Sequence, residues 1–106
     1  MKKINIDHLD IHVDTKESRL FFPIKDSQDA ELKYRLHTER KPTVIEFTET
    51  YVPETLRQQG LGSKLAERGM RLAEANKYNV KATCSFVEDY LSKHPEFQSL
   101  QFMSSI

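Results

Sequence analysis

Residues 50–65 read TYVPETLRQQGLGSKL, and they join a strand-like run to a long helical run. Within this stretch Gly60 and Gly62 stand one residue apart, where the strand ends and the helix begins. A helix N-terminus leaves its first amide N–H groups without intrahelical partners and carries a partial positive charge. Because glycines leave these amides accessible and permit positive φ, the junction predicts an anion site, with phosphate as its natural guest.

Two nucleotide-binding motifs that contain such glycines do not fit the junction. The dinucleotide pattern G-x-G-x-x-G needs a third glycine where the chain has Leu65. The Walker pattern ends in G-K-[ST], whereas the order here is Gly62, Ser63 and Lys64. A tight strand–helix turn that uses its glycines only for backbone geometry is the alternative interpretation.

The half of the chain before the junction has the pattern of β-strands. AELKYRLH (30–37) alternates apolar and charged residues, which is the period of a half-solvated strand. TVIEFTETYV (43–52) is dense in β-branched and aromatic residues, and Pro53 ends it. RLFFPI (19–24) and INIDHLDIHV (4–13) are weaker strand candidates. Short polar links between these runs predict an antiparallel meander.

After the junction the hydrophobic period changes to that of a helix, which we predict from Leu61 to about Lys77. Small residues recur along one stripe of this helix at offsets that let it approach a sheet closely. The stripe consists of Gly62, Ala66, Gly69 and Ala73.

The rest of the chain predicts a strand at 80–86, a short helix at 87–94 and an edge strand in the tail, 97–106. A strand–helix–strand unit makes the strands at 43–52 and 80–86 parallel, with their C-terminal ends near the start of the long helix. In open α/β sheets ligands bind at this edge. The predicted fold class is α/β (α+β), one domain over residues 1–106 with a mixed, mostly antiparallel sheet.

Composition excludes several classes of function. Sixteen basic residues balance sixteen acidic ones among 106, so no net field favours nucleic acid or an anionic membrane. No apolar run reaches the roughly 20 residues that cross a bilayer. Cys84 is the one cysteine in the chain, so no internal disulfide forms, and a cytoplasmic location is expected. His8 and His12 have no further ligands nearby in sequence, and no metal site is predicted.

The run 50–65 resembles the acetyl-coenzyme A signature of the GNAT superfamily, a strand ending V-x-P, then [Q/R]-x-x-G-x-[G/A], then a helix. The matching residues are Val52, Pro53, Arg57, Gly60, Leu61 and Gly62. Residues 79–97 resemble the short, single-domain subgroup with C-S-[FY]-V followed by Y-x-x-x-H-P-E, here from Cys84 and from Tyr90. The two blocks span roughly residues 44–97. Many members have glycine after the arginine, where this chain has Gln58.

The resemblance implies a compact GNAT-like fold and an N-acetyltransferase that uses acetyl-CoA as its cosubstrate. It implies that backbone N–H groups from 58–63 hold the pyrophosphate of coenzyme A, and that the pantetheine arm pairs with the strand edge at 48–52. The thioester carbonyl would receive an N–H near Val52, and Arg57, Lys64 or Arg68 would screen the phosphates. The implied cofactor-binding residues are Thr50, Val52, Arg57, Gln58, Gln59, Gly60, Leu61, Gly62 and Ser63.

Two residues are candidates for catalysis. Tyr90 aligns with the tyrosine that many GNAT enzymes place near the sulfur, so it is the candidate acid, with a plain core role as the alternative. Cys84 precedes a predicted helix N-terminus, where the dipole favours a thiolate, so it is a candidate nucleophile with His94 as its base. A small buried hydrophobe is the alternative for Cys84. The candidate general bases, which the sequence does not rank, are Glu46, Glu49 and Glu88.

The leading hypothesis is therefore a small acetyl-CoA-dependent N-acetyltransferase that modifies an unidentified amine or protein acceptor, directly or through Cys84. The second is a coenzyme A-binding or acyl-carrying module with little transfer activity, because 21–36 has room only for a turn where larger relatives insert a helical pair. The third is a protein-interaction domain without a cofactor.

Overall fold

The computed structural model describes residues 10–24 and 28–102. Most of the first predicted strand, 4–13, lies outside these ranges, as do the last four residues of the tail. The described strands and α-helices are β1 (His12–Asp14), β2 (Arg19–Phe22), β3 (Ala30–His37), β4 (Val44–Tyr51), α1 (Leu61–Asn76), β5 (Asn79–Ala82) and α2 (Ser85–Ser92). Two 3-10 helices complete the set, Glu54–Leu56 and Pro95–Leu100.

The strands form one mixed sheet in the order β1-β2-β3-β4-β5. β1 to β4 pair antiparallel as a meander, and β5 returns parallel to β4 after the crossover through α1. The predicted fold class, with a long helix after the signature strand and a shorter second helix, is confirmed. Only residues 23–29 lie between β2 and β3, so this segment is too short for a helical pair.

α1 covers one face of the sheet and forms the core with it. Alternate residues of the strands point toward the helix, as the two-residue period of a strand requires. The fully buried side chains of the core come from the strands, from α1, from α2 and from the final 3-10 helix. They include Leu20, Leu32, Ile45, Phe47, Leu61, Leu65, Met70, Val80, Val87, Leu91 and Phe97.

The stripe of small residues on α1 contacts two different neighbours. A Cβ added at Gly69 would lie 2.9 Å from the Phe47 ring and 3.1 Å from a Leu32 methyl, so this position sets how closely α1 approaches the sheet. A Cβ added at Gly62 would instead lie 2.8 Å from the Phe86 ring at the start of α2. The predicted approach to the sheet is confirmed at Gly69, whereas Gly62 makes room for the second helix.

β4 and β5 separate before β4 ends. Their last parallel pair is Phe47 with Ala82, and β4 then continues through Tyr51 without a paired strand on the β5 side among the described residues. On the other edge the register against β3 shifts, because Thr48 has no partner between two paired residues. A bulge of this kind redirects the side chains that follow it. The C-terminal end of β4 therefore has one open edge.

Two predicted boundaries are wrong. The strand predicted at 80–86 ends at Ala82, and α2 begins at Ser85, because Cys84 is the N-cap residue and its carbonyl accepts the amide of Glu88 at 3.0 Å. The predicted edge strand of the tail is the Pro95–Leu100 3-10 helix, followed by a single parallel bridge between Gln101 and Val80. The proline starts this helix because its missing N–H is not needed there.

Within the described ranges, none of the helices combines the length and the apolar character that crossing a membrane requires.

Replacing Gly69 with alanine tests the close approach of α1 to the sheet. The new methyl group would collide with the fully buried Phe47 ring, which has no free space to move into. We expect the free energy of unfolding to fall by about 1–2 kcal/mol, the overpacking cost less the gain in helix propensity. Urea denaturation followed by circular dichroism measures this change.

Gly62→Ala is the matched control for this substitution. It adds the same methyl group to the same helix stripe, but its neighbour, Phe86, is exposed and its ring can rotate away. Its free energy of unfolding should stay unchanged or rise by up to about 1 kcal/mol. Equal losses in the two variants would contradict the packing role assigned to Gly69.

Candidate functional site

A cleft of about 420 Å³ opens where β4 ends and α1 begins. It is bounded by the free end of β4, by the loop that follows it, by the first turn of α1 and by the start of α2. The residues that line this β4–α1 cleft are Thr50, Tyr51, Val52, Leu56, Arg57, Gln58, Gly60, Leu61, Gly62, Ser63 and Phe86.

The first turn of α1 presents its backbone to the cleft. Gly60 is the N-cap residue with φ 84°, the left-handed region that favours glycine, and no side chain caps the helix. The amide of Lys64 donates the first hydrogen bond of the helix, to the Gly60 carbonyl oxygen at 3.0 Å. The amides at 61–63 come before it and have no acceptor within the helix. The first turn contains no acidic residue. An anion would therefore meet free donors and a positive helix end with no competing carboxylate.

Gln58 occupies a backbone conformation that suits glycine. Its φ is 66°, and a residue with a side chain pays about 1 kcal/mol or more to hold that conformation. Gln58 replaces the glycine that is common at this position, but the loop keeps the backbone conformation that glycine favours. The path of the chain into Gly60 depends on these two left-handed residues.

The cationic side chains near the cleft have structural partners. Arg57 Nε donates to the Val52 carbonyl oxygen at 2.8 Å, which ties the loop back to the end of β4. Lys64 Nζ lies 3.1 Å from a carboxylate oxygen of Glu67 on the same helix, and Arg68 is exposed. Of these three candidates for screening phosphate, only Arg57 lines the cleft.

The structure brings together all the predicted cofactor-binding residues except Gln59, which is half-buried and outside the lining set. Sequence reasoning missed three lining residues, Tyr51, Leu56 and Phe86. Phe86 is 40% exposed although it is large and apolar, and its ring packs over Gly62. The signal that it belongs to the site was an aromatic residue in the first turn of a helix, two positions after the N-cap residue Cys84.

Cys84 lies beside the cleft, in contact with one of its lining residues. Its Sγ is 3.4 Å from Thr50 Oγ1, and the residue is half-buried. Burial raises the pKa of the Cys84 thiol, whereas the hydrogen bond with the Thr50 hydroxyl lowers it. Backbone groups of Val87, Phe86 and Thr50 lower the pKa further, and together they outweigh burial. The Cys84 thiol is therefore more acidic than an ordinary thiol, which favours the nucleophilic thiolate.

Tyr90 and His94 lie away from the cleft. Their rings stack with centroids 3.8 Å apart, Tyr90 is 6% exposed, and Phe97 stacks on the same phenol ring. His94 Nδ1 donates to the Tyr90 carbonyl oxygen at 2.7 Å. Burial, with a smaller contribution from the charge of Glu67, raises the pKa of the Tyr90 phenol to about 12. Neither ring is among those that line the cleft.

The three candidate bases differ in their surroundings. Glu46 is half-buried, and its carboxylate accepts hydrogen bonds from Thr83 Oγ1 at 2.7 Å and from His37 Nε2 at 2.8 Å. The Thr83 bond, followed by the His37 bond, holds the pKa of Glu46 below its usual value. Glu49 on β4 and Glu88 in the first turn of α2 are exposed.

Comparison with known protein families identifies the chain. Residues 20–100 match the family described as GCN5-related N-acetyltransferase. A comparison with curated proteins finds no match. Membership of the cysteine-bearing subgroup stays a prediction. Since the match runs from β2 to the Pro95–Leu100 helix and includes every residue that lines the cleft, the chain belongs to the GCN5-related N-acetyltransferases.

Proposed function

We propose that the protein binds acetyl-CoA in the β4–α1 cleft and transfers the acetyl group to an amine through Cys84. One observation carries this proposal. A single cavity joins the uncapped start of α1 to the open end of β4, and Thr50 connects that cavity to the Cys84 sulfur. These are the three features that a diphosphate, an extended amide-bearing arm and a thioester require.

The diphosphate of coenzyme A binds the amides at 61–63. Each amide supplies a hydrogen bond to a charged oxygen, and the helix end adds a favourable electrostatic contribution. The pantetheine arm lies along the edge of β4 that β5 leaves unpaired after Phe47. Its amides pair with that edge as an added strand does, which orders the arm without any dedicated side chain.

The thioester carbonyl lies against the Val52 N–H. The amide of Thr50 faces the Cys84 sulfur. Amides two residues apart in an extended chain point the same way, so the Val52 amide points to the same side as the Thr50 amide. A backbone N–H at this point stabilises the oxyanion that forms when the carbonyl is attacked, an effect worth ~3 kcal/mol in other acyl transfers.

Transfer then takes place in two steps, with an S-acetyl thioester on Cys84 as the intermediate between them. The Cys84 thiolate attacks the acetyl carbonyl, the carbonyl–sulfur bond to coenzyme A breaks, and coenzyme A leaves as its thiolate. The neutral acceptor amine next attacks the S-acetyl group, the bond to Cys84 Sγ breaks, and the amine proton passes to solvent or to a base. The first step exchanges one thiolate for another, so it needs no proton donor, and the acidic thiol of Cys84 suits it.

Neither Tyr90 nor Glu46 is needed for this route. A phenol with a pKa of about 12 is a weak proton donor for a thiolate, and the Tyr90 ring is buried outside the cleft. The Glu46 carboxylate is already occupied by two donors, which weakens it as a base. The amine proton is left to the exposed carboxylates Glu49 and Glu88 or to water.

A second candidate function is a coenzyme A-binding or acyl-carrying module with little transfer activity. The short link between β2 and β3, residues 23–29, favours it, because a segment of this length is too short for the helical pair that forms an acceptor pocket in larger relatives. Release of free coenzyme A separates the two functions. Repeated turnover with an amine acceptor supports the transferase, and a single equivalent released with acetylation of the protein supports the carrier.

The substitution Ser63→Asp tests the diphosphate site, because it should act on stability and binding in opposite directions. A carboxylate in the first turn of α1 stabilises the helix by about 0.3–1 kcal/mol. The same charge repels the diphosphate, so the Kd for coenzyme A measured by calorimetry should rise by about tenfold or more.

Two controls accompany the Ser63 variant. The asparagine of Ser63→Asn has nearly the same shape as aspartate but carries no charge, so this variant should keep most of the affinity for coenzyme A. Pantetheine, which lacks the diphosphate, should bind the wild type and Ser63→Asp equally. Undiminished coenzyme A affinity in Ser63→Asp would overturn the assignment of the diphosphate to α1.

Removal of the sulfur by Cys84→Ala tests the covalent route. Incubation with acetyl-CoA should add one acetyl group to the wild-type protein and none to Cys84→Ala, as read by intact-mass spectrometry. Calorimetric affinity for coenzyme A should stay within about twofold, since the diphosphate and pantetheine contacts do not involve the sulfur. Full transfer to an amine by Cys84→Ala would show direct attack on acetyl-CoA and rule out the intermediate.

The pH dependence of self-acetylation follows from the acidity of the thiol. Because the folded protein lowers the pKa of Cys84, the thiolate fraction at neutral pH exceeds that of a free cysteine. The initial rate of acetylation should rise with pH and reach half its maximum below about 8.5, the ordinary thiol value. A midpoint at or above that value would contradict the assigned environment of Cys84.

A further inference from the structure

A hydrogen-bonded cluster lies on the face of the sheet opposite α1. Glu46 lies between Ile45 and Phe47, which are buried against the helix side, so its own side chain points to the other face. One carboxylate oxygen accepts from His37 Nε2 at 2.8 Å, and the other accepts from Thr83 Oγ1 at 2.7 Å. The side chain of Glu46 is only 12% exposed.

Thr83 is the residue at which the chain leaves the sheet. Its amide donates to the Phe47 carbonyl oxygen at 3.1 Å, which extends the β4–β5 ladder one step past the last pair. Its hydroxyl is held by Glu46 from the face away from α1. The next residue, Cys84, caps α2 and contacts Thr50 through its sulfur.

We propose that Glu46 is a positioning residue, which holds Thr83 at the end of β5 and thereby keeps the Cys84 sulfur against Thr50. The inference rests on the proposed function at one point, the role of Cys84 as the residue that accepts the acetyl group. His37 supports the same arrangement from β3, because it fixes the second carboxylate oxygen of Glu46.

The distances explain why one hydrogen bond has this effect. The Cys84 Sγ to Thr50 Oγ1 distance is 3.4 Å, so a displacement of a few tenths of an ångström weakens the contact that favours the thiolate. Without its bond to Glu46, Thr83 keeps its amide bond to Phe47 and a hydroxyl contact of 3.4 Å with the same carbonyl oxygen. The backbone between Thr83 and Cys84 then has one constraint fewer.

Charge alone predicts the opposite outcome, which makes the proposal testable. The charged neighbours of Glu46 are Arg35 and His37 on β3 and Lys81 on β5. Removal of the negative charge of Glu46 would, by Coulomb's law, lower the pKa of a nearby thiol. Loss of the positioning bond would raise that pKa, since the sulfur moves away from Thr50.

The experiment measures the alkylation of Cys84 by iodoacetamide as a function of pH. Thr83→Val keeps the shape of the side chain and removes the donor, and Glu46→Ala removes the acceptor. Each should raise the pH of half-maximal reactivity by about 0.5–1 unit, the equivalent of one lost hydrogen bond. The double variant should shift no further, because both substitutions remove the same bond.

Conservative variants and a matched control complete the test. Thr83→Ser keeps the donor and should restore the wild-type profile. Glu46→Gln keeps an acceptor but removes the charge, so its midpoint should equal that of the wild type or lie below it, in contrast to Glu46→Ala. Thr48→Val removes a hydroxyl from β4 that bonds the Lys33 carbonyl instead, and it should leave the profile unchanged. Circular dichroism confirms folding, and if Thr83→Val does not fold, Glu46→Ala carries the same test.

An unchanged profile in Thr83→Val, or a lower midpoint in Glu46→Ala, would overturn the positioning role. Neither result would contradict the assignment of the coenzyme A site, because calorimetry with the Ser63 variants tests that site separately.

Discussion

The site depends on one backbone constraint, the separation of two parallel strands after their fourth and last pair, Phe47 with Ala82. β4 and β5 are held together as far as Phe47 and Ala82, and each strand is then followed by a helix. Parallel strands end at the same edge of a sheet, so the starts of α1 and α2 meet there. Because β4 continues through Tyr51 while β5 turns into α2, a free strand edge opens between the two helices. The cleft is a consequence of this topology.

Much of this arrangement could be predicted from local sequence signals. The change of hydrophobic period after Gly60 located the start of α1, and the strand–helix–strand order required the parallel pair. The anion site stays a prediction that rests on the two glycines, because glycines leave the amides at the start of a helix accessible. Gly60 has a positive φ that favours glycine, whereas Gly62 lies in the helix against the exposed Phe86 ring, a distinction that spacing does not contain.

The remaining features depend on tertiary contacts that a single segment does not encode. The apolar run through Phe86 resembled a longer strand, but Thr83 is the last residue that bonds β4, and the chain then leaves the sheet because Cys84 caps α2. Tyr90 matched a family position, yet its orientation follows from stacking on His94 and Phe97, which its neighbours in sequence do not dictate. Glu46 was a candidate base that the sequence did not rank, and only the register between three strands reveals its two partners.

The register of β5 against β4 decides whether the starts of α1 and α2 lie beside the same cleft. A slip of one residue along β4 would move Cys84 by about 3.3 Å and turn its side chain to the other face of the sheet. Either change would separate its sulfur from Thr50, which lies only 3.4 Å away. The bond between Thr83 and Glu46 opposes such a slip, because it joins the residue that follows β5 to one position on β4. The same pairing that opens the cleft therefore also aligns the Cys84 thiol beside it, next to the first turn of α1 where the diphosphate site is proposed.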